Sequence, residues 1–232
     1  AGATEVRAAG RAFLDMRARI DRQIEQRTMM LSGVSHDLRT PLTRLRLGLA
    51  LLEDQDEAEA LMRDVGDMEM LLDEFLAFAR DDSLDDLVSC DPADLVRSVT
   101  AKFTAFGQPV TLGATKGEGL AMLRPMAVGR ALENLIGNAV RYGTNCRVSL
   151  EIRERVLLIT VEDDGPGIPA DRLEEALKPF ARLDAARNQD RGSGVGLGLS
   201  IASDIARRHG GALELGESGD LGGLKAVLVL AR

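Results

Sequence analysis

Apolar residues in the first third of the chain recur at alternating steps of four and three, the period of an amphipathic helix. The first series predicts a helix over residues 4–53 and consists of Val34, Leu38, Leu42, Leu45, Leu49 and Leu52. After a polar turn at residues 54–56, a second series predicts a helix over residues 57–80 and consists of Leu61, Val65, Met68, Leu72, Phe75 and Ala79. A hairpin of two such helices leaves hydrophobic surface uncovered. We therefore expect a homodimer that closes a four-helix bundle, with a monomeric hairpin packed on the rest of the chain as the alternative.

The pattern changes near residue 90, where short apolar runs begin to alternate with helical ones. Residues 81–90 are acidic and weakly patterned, which predicts a linker, and Asp91 as N-cap with Pro92 at the first helical position opens a helix to about Phe106. Strands are predicted at 110–114, 119–122, 147–152, 156–162, 212–215 and 224–230, and helices at 125–142 and 195–209. Because these elements mix without regular βαβ spacing, residues 91–232 are expected to form an α+β sandwich with a largely antiparallel sheet.

Composition removes several classes of function. The chain has 232 residues, 45% of them hydrophobic, which is enough for two modest domains with real cores. Its 29 Lys and Arg against 37 Asp and Glu give a net charge of −8, which argues against a nucleic-acid partner. Cys90 and Cys146 have no C-x-x-C partner, so we expect two reduced thiols in a cytoplasmic compartment. No apolar run is long enough to cross a bilayer, which predicts a soluble fragment whose membrane contact lies only in segments missing from it.

Residues 35–42, with the sequence SHDLRTPL, carry the first candidate site. At about 100° per residue, His36 falls nearly opposite the apolar seam, so its imidazole is predicted on the solvent side. An exposed imidazole beside Asp37 can act as a nucleophile whose orientation and basicity the carboxylate sets. Thr40, one turn on, can reach the same reacting group, and Pro41 is expected to bend the helix at His36 and Asp37. The competing interpretation is an inert surface histidine.

A second candidate site begins with Asn134 and Asn138, one turn apart on a predicted helix, and Arg141 about one turn further on. Two carboxamides and a cation on one face suit a hydrated Mg²⁺ and the phosphates that it bridges, because Mg²⁺ prefers oxygen ligands and keeps waters. Tyr142, the only tyrosine, could stack on a base. Asparagines that cap a helix or lie exposed on it would give the same pattern.

Asp163 follows directly on a predicted strand and precedes Gly165 and Gly167 in the sequence DDGPGI. Glycines at a strand end let a ligand approach the backbone, and a carboxylate accepts readily from an exocyclic amine such as that of adenine. A plain acidic turn is the alternative interpretation.

Gly194, Gly196 and Gly198 alternate in the run GSGVGLGL before a predicted helix. Such a run exposes amide N–H groups and a positive helix end to phosphate. It lacks the G-K-[ST] ending of a Walker loop, and no strand directly precedes it as a Rossmann fingerprint requires. In this order and spacing the three motifs predict a nucleotide site, and the polar segment 180–191 predicts a mobile lid over it.

Together these motifs resemble those of the sensor histidine kinase family, over essentially the whole chain. Residues 35–42 resemble the H-box of its phosphotransfer domain, and four further segments resemble the N-, G1-, F- and G2-boxes of its GHKL ATPase fold: 134–142, 163–168, 178–180 and 192–199. The implied fold is a dimeric antiparallel helical hairpin, residues 21–80, followed by a GHKL (Bergerat) ATP-binding α/β sandwich, residues 91–232. Residues 1–20 are similar to the end of a HAMP relay helix, which implies a parent protein in the inner membrane with these domains in the cytoplasm.

The resemblance implies an ATP-dependent protein-histidine kinase that uses Mg²⁺. Its catalytic residues would be His36, Asp37 and Thr40, and Asn134 and Asn138 would hold the metal. Positions that match the family's nucleotide-binding motifs are Asn134, Asn138, Arg141, Tyr142, Asp163, Gly165, Gly167, Ile168, Phe180, Gly194, Gly196, Leu197, Gly198 and Leu199.

The implied partner is the receiver domain of an OmpR-type response regulator, whose aspartate would accept the phosphoryl group from His36. In this family an acidic residue after the histidine and a threonine at the offset of Thr40 accompany phosphatase activity, so this chain is also expected to dephosphorylate its regulator. The competing class is a dimeric, nucleotide-gated GHKL ATPase or scaffold without histidine phosphorylation, which has no use for an exposed His-Asp pair.

Overall fold

The chain divides into two compact units, Ala1–Asp81 and Asp82–Arg232. The computed structural model describes residues 2–51, 58–59, 61–66, 68–69, 72, 85–181 and 196–232. In the first unit, helix α1 spans Gly2–Leu49 and continues through Pro41, so the proline does not end it. The described residues of the second helix, α2, are helical and lie between positions 58 and 72, inside the predicted span. No helix in the described ranges has an apolar stretch long enough to cross a membrane.

The apolar seams of α1 and α2 are only partly covered within one chain. An ion pair of 3.3 Å between Arg46 Nη1 and Glu69 Oε2 links the two helices. Val65 is buried at 6% exposure. Of the seam residues that the structure describes, Leu42, Leu49 and Leu72 are half-buried, and Val34, Leu38, Leu45, Leu61 and Met68 are exposed. Leu52, Phe75 and Ala79 lie outside the described residues. Hydrophobic surface therefore remains on this unit, as the sequence pattern predicts.

The second unit is an α+β sandwich. Its strands are β1 (Val88–Cys90), β2 (Val110–Lys116), β3 (Ala121–Leu123), β4 (Cys146–Ile152), β5 (Val156–Asp163), β6 (Ala212–Glu217) and β7 (Leu224–Ala231). Its helices are α3 (Pro92–Ala105), α4 (Pro125–Tyr142), α5 (Leu173–Ala176) and α6 (Gly198–Arg208). A five-stranded sheet has the order β2-β4-β5-β7-β6, and β1 pairs with β3 separately. Only the β2–β4 pair of the larger sheet is parallel, so the predicted, largely antiparallel sheet is confirmed.

The core lies between this sheet and helices α3, α4 and α6. Residues of β4, and of β5 as far as Val161, alternate between buried and half-buried, the period of two that a strand covered on one face requires. Glu162 and Asp163 at the end of β5 are both buried. Leu132 and Ile136 on α4 are fully buried against them, and α4 also packs on α6. Because α4 buries its apolar stripe this way, its asparagines are held on the side that adjoins α6.

The segment that enters the second unit differs from the predicted linker. Residues 88–90 form β1, antiparallel to β3. Asp85 caps α4, because its Oδ2 accepts from the Ala127 N–H at 2.8 Å and its carbonyl accepts from Arg124 Nε at 3.0 Å. The prediction failed here because a three-residue strand with a distant partner has no local apolar pattern. Helix α5 was also not predicted, and β3 begins at Ala121 rather than at residue 119.

Candidate active site

The carboxamides of α4 lie beside the first residue of α6. Asn134 Nδ2 donates to the Arg130 carbonyl at 3.0 Å, which leaves Oδ1 as the ligand atom of that side chain. A Cβ built on Gly198 would lie 3.3 Å from Asn138 Nδ2 and 3.4 Å from Asn134 Oδ1, so a larger residue there would crowd both. The structure thus brings N-box and G2-box residues together. Carboxamide oxygens beside a helix N-terminus fit Mg²⁺ and the phosphates that it carries.

Asp163 ends β5 and is 5% exposed. Its Oδ1 accepts from the backbone N–H groups of Gly165 at 2.8 Å and Leu224 at 3.1 Å. No residue in the described part of the chain donates a hydrogen bond to Oδ2. Burial raises the pKa of Asp163 and the neighbouring charge of Asp164 adds to the rise, while the two backbone N–H groups oppose it. An oxygen left in this state suits a ligand that brings its own donor.

Asp164, the second acid of the G1-box, contacts the loop that follows α4. Its Oδ1 accepts from the N–H groups of Thr144 (2.6 Å) and Asn145 (2.9 Å), and its Oδ2 accepts from Thr144 Oγ1 (2.7 Å) and Asn145 Nδ2 (2.6 Å). These hydrogen bonds hold the pKa of Asp164 well below its usual range. A Cβ on Gly143 would lie 2.7 Å from Asp164 Oδ1, so this clamp requires glycine. It ties the end of the N-box helix to the G1 turn.

The glycines of the G1-box allow the backbone to approach closely. A Cβ on Gly165 would lie 2.9 Å from both the Tyr142 carbonyl oxygen and Asp163 Oδ1. Gly167 has a φ of 67°, in the left-handed region that favours glycine. Tyr142 is 38% exposed. Arg141 and Ile168, also predicted for the site, are half-buried.

A backbone hydrogen bond of 3.0 Å from the Phe180 N–H to the Gly196 carbonyl joins the two sides of the predicted lid segment. Phe180 has a φ of 64°, the one non-glycine residue with positive φ in the described ranges. Leu197 is fully buried in the core, so it can contact a ligand only through its backbone. Leu199 is half-buried and packs against the core. The predicted Gly194 lies outside the described residues, as does the rest of the segment 182–195.

Gly223 and Leu224 belong to the site although no sequence motif marks them. The Gly223 N–H donates to the Asp163 carbonyl at 3.1 Å, and the Leu224 N–H donates to Asp163 Oδ1. A Cβ on Gly223 would lie 2.5 Å from both the Asp163 carbonyl oxygen and the Gly165 nitrogen. The pair Gly222-Gly223 between two apolar runs signals a hairpin. Only the long-range pairing of β5 with β7, however, brings that hairpin to Asp163.

The predicted nucleophile lies on α1 of the first unit. The side chain of His36 is outside the described side chains, while Asp37 and Thr40 are exposed. In the following turn, Thr43 Oγ1 donates to the Arg39 carbonyl at 2.9 Å, a back-bond of the kind that accompanies bending in helices.

His209, the other histidine, has a structural role. It is buried, its Nδ1 lies 2.8 Å from the Ile205 carbonyl oxygen, and its Nε2 accepts from the Arg124 N–H at 3.2 Å. These bonds require the neutral tautomer with the proton on Nδ1. Gly210 follows with a φ of 69°, the left-handed conformation in which a glycine commonly closes a helix.

Cys146 and Cys90 are free thiols, the first buried and the second half-buried. Burial, with a further contribution from the charge of Asp163, raises the pKa of Cys146 to about 12. Its thiol therefore stays protonated at neutral pH.

Comparison with known proteins fits this architecture. Residues 26–84 match the family described as the His Kinase A (phospho-acceptor) domain, and residues 124–231 match the histidine kinase-, DNA gyrase B-, and HSP90-like ATPase family. The chain is 39% identical over 232 residues to the sensor histidine kinase GtrS of Pseudomonas aeruginosa, which covers 100% of this chain and 47% of that protein. It is 34% identical over 241 residues to the sensor histidine kinase CpxA of Escherichia coli strain K12, which covers 99% of this chain and 52% of that protein.

Solved structures share the fold. The ATP-binding domain of PrrB from Mycobacterium tuberculosis aligns with a TM-score of 0.52 at 25% identity, covering 63% of this chain and 98% of that one. Full-length ShkA in complex with AMPPNP aligns with a TM-score of 0.65 at 24% identity, covering 87% of this chain and 45% of that one. The chain belongs to the sensor histidine kinase family and carries its phospho-acceptor and GHKL ATPase domains. It spans about half the length of the curated relatives that it matches.

Proposed function

We propose that this chain is the kinase portion of a sensor histidine kinase, which transfers the γ-phosphoryl group of ATP to His36. The phosphoryl group then passes to an aspartate on the receiver domain of a response regulator. Residues 21–80 are the dimerisation and phosphotransfer domain of this proposal, and residues 91–232 are its ATP-binding domain.

The observation that carries the proposal is the carboxylate of Asp163. Two backbone N–H groups occupy Oδ1, so Oδ2 is the oxygen left for a ligand donor, and the exocyclic amine of adenine is such a donor. The contact of Gly198 with the carboxamides of α4 supports a phosphate site close by, because a helix N-terminus attracts anions.

Asn134 and Asn138 are the residues that we assign to Mg²⁺. When bound, the ion would neutralise charge on the phosphates. The chain's own contribution is to orient the base through Asp163 and to supply a cation, Arg141, near the phosphates.

His36 is the nucleophile that we assign, because the chain has two histidines and the other is fully engaged. Both ring nitrogens of His209 are held in hydrogen bonds inside the core, so a phosphohistidine can form only on His36. Asp37 follows directly and orients the imidazole or accepts its proton.

The remaining parts of the proposal concern partners. The exposed apolar seams of α1 and α2 support a homodimer, since a second copy would remove them from water. We further propose an OmpR-type regulator, a phosphatase activity in which Thr40 orients the attacking water, and a parent protein anchored in the inner membrane whose HAMP-like relay ends at residues 1–20.

Incubation with γ-labelled ATP and Mg²⁺ tests the core of the proposal. Label should appear on the chain, be labile in acid and stable in alkali as a phosphohistidine is, and be absent from His36→Ala and after chelation of the metal. Label that survives His36→Ala would contradict the proposal. Tight ATP binding without any labelling would instead favour the nucleotide-gated ATPase or scaffold.

A further inference from the structure

The turn between β6 and β7 is half glycine in sequence, SGDLGG at residues 218–223, yet it is closely held. Glycine-rich turns lose the most conformational freedom on ordering, so they need anchors to keep one conformation. Ser218 is 1% exposed. Its N–H donates to the Gly223 carbonyl and its carbonyl accepts from the Gly222 N–H, both at 2.8 Å. These bonds close the turn on itself.

The Ser218 hydroxyl then fastens the turn to the neighbouring strand. Its Oγ donates to Glu162 Oε1 at 3.0 Å and accepts from the Leu221 N–H at 3.1 Å. Arg147 Nη2 donates to Glu162 Oε2 at 2.9 Å and to Asp220 Oδ2 at 2.5 Å. Glu162 is only 8% exposed, and a carboxylate buried to that degree needs such partners. The turn is therefore bound to β5 through Ser218 and to β4 through Asp220.

The anchored turn supplies two of the donors that hold Asp163. Gly223 donates to its carbonyl and Leu224 donates to its Oδ1. The paired register of β5 with β7 reaches only as far as Glu162 opposite Lys225. Leu224 lies beyond that last pair and is paired instead with Glu217 on β6. The β6–β7 hairpin, anchored through its turn, therefore places the Leu224 N–H against Asp163.

We propose that Ser218 and Glu162 are positioning residues that set the base preference of the nucleotide site through the β6–β7 turn. If the turn shifts, Oδ1 loses the Leu224 donor and the Asp163 carboxylate can rotate, so Oδ2 no longer meets the exocyclic amine. An anchor that only stabilised the sheet would change the free energy of unfolding and leave base preference intact. This inference rests on the proposed binding of ATP.

Competition against a fluorescent nucleotide, with Mg-ATP and Mg-ITP, tests the inference on the chain described here. Inosine carries a carbonyl where adenosine carries the amine. Ser218→Ala should weaken ATP binding about tenfold, the effect of misplacing one hydrogen bond to a charged group, and change ITP binding less than about twofold. The matched control is Thr100→Ala, which removes another buried hydroxyl, bonded at 2.8 Å to the Val96 carbonyl within α3, and should change neither affinity.

Two further variants test the path through Glu162. Glu162→Gln keeps an acceptor for Ser218, so its ATP-to-ITP ratio should lie between those of the wild type and Ser218→Ala; this variant replaces Ser218→Ala if the latter does not fold. The double variant Ser218→Ala with Glu162→Ala should lose no more ATP affinity than either single variant does, because both changes break the same path. If Ser218→Ala folds and its ratio of ATP affinity to ITP affinity is unchanged, the inference is overturned and the proposed function still stands. A wild-type chain that binds ATP and ITP equally would also overturn the inference, whereas a wild-type chain that binds neither nucleotide would overturn the proposed function itself.

Discussion

Replacing Asp163 with asparagine should separate nucleotide affinity from stability. The two N–H groups of Gly165 and Leu224 both point at Oδ1, so the amide oxygen of the new side chain must take that position. The NH₂ group is then forced into the place of Oδ2, where it opposes the amine of adenine donor to donor. A hydrogen bond to a charged group contributes about 1.5–3 kcal/mol. Because about 1.4 kcal/mol corresponds to a factor of ten, Asp163→Asn should weaken ATP binding about 10- to 150-fold.

Stability should move in the opposite direction. Burial raises the pKa of Asp163, so the folded state binds its proton more tightly than the unfolded state does. The contribution of Asp163 to the free energy of unfolding is fully present below the pKa of the carboxyl in the unfolded chain. It is lost as the pH rises through the pKa of the folded chain, so at neutral pH the ionised carboxylate opposes folding. Asparagine keeps the acceptor and removes the charge. The variant should therefore unfold at the same temperature as the wild type or a higher one.

Nucleotide titration and thermal unfolding of the same preparations measure both effects. Inosine offers an acceptor to the new NH₂ group, so the ATP-to-ITP affinity ratio should also fall. Asp94→Asn is the matched control, because Asp94 is an exposed acid on α3 whose partner is the surface residue Arg97. Unchanged ATP affinity in Asp163→Asn would refute the assignment of the base to Asp163. Lost affinity together with a lower unfolding temperature would refute the argument that the variant keeps the local structure.

Three further changes test other parts of the molecule. Leu132→Ala removes a fully buried side chain and should lower the free energy of unfolding, measured in denaturant, by about 2–5 kcal/mol. The control Leu120→Ala removes a side chain of a residue that is 60% exposed and should change it by less than about 0.5 kcal/mol, and equal effects would contradict the assigned core. Because the pKa of Asp164 is depressed in the folded chain, its ionised carboxylate stabilises the fold above the ordinary carboxyl pKa, and this stabilisation fades below about pH 4. The decrease in the free energy of unfolding in urea caused by Asp164→Ala should therefore be smaller in acid. A decrease independent of pH would argue against the clamp. Thr40→Ala should slow dephosphorylation of the phosphorylated regulator by at least about tenfold while labelling of His36 changes much less, and equal loss of both would indicate a damaged helix.

Much of the fold is visible in the sequence because its signals are local. The predicted span of α4, residues 125–142, is its observed span, since Pro125 opens the helix and the apolar stripe continues to Tyr142. The alternation of β5 and the N-cap at Asp91 are likewise properties of neighbouring residues. The motif residues of the second unit could be named for the same reason, and the structure brings Asn134, Asn138 and Gly198 together.

The parts that the sequence did not reveal depend on long-range pairing. Gly223 reaches Asp163 only because β7 pairs with β5, and residues 88–90 become a strand only because β3 lies beside them. The adjacent acids Asp163 and Asp164 look equivalent in sequence. Their different roles follow from the surrounding folded chain, which supplies backbone donors to Oδ1 of the first and four donors from the α4 loop to the second.

These contacts make α4 the reference element of the site, because groups from other segments hold it at both ends. At its N-terminus, where Arg124 provides no side-chain cap, Asp85 accepts the Ala127 N–H and His209 accepts the Arg124 N–H. At its C-terminus, Asp164 accepts from the loop that follows it. Asp85 comes from the segment entering the domain, His209 from the end of the G2-box helix and Asp164 from the G1-box. The G1-box, the G2-box helix and the entering segment are therefore each tied to the helix that carries the carboxamides, and a displacement of any one of them acts on the same backbone.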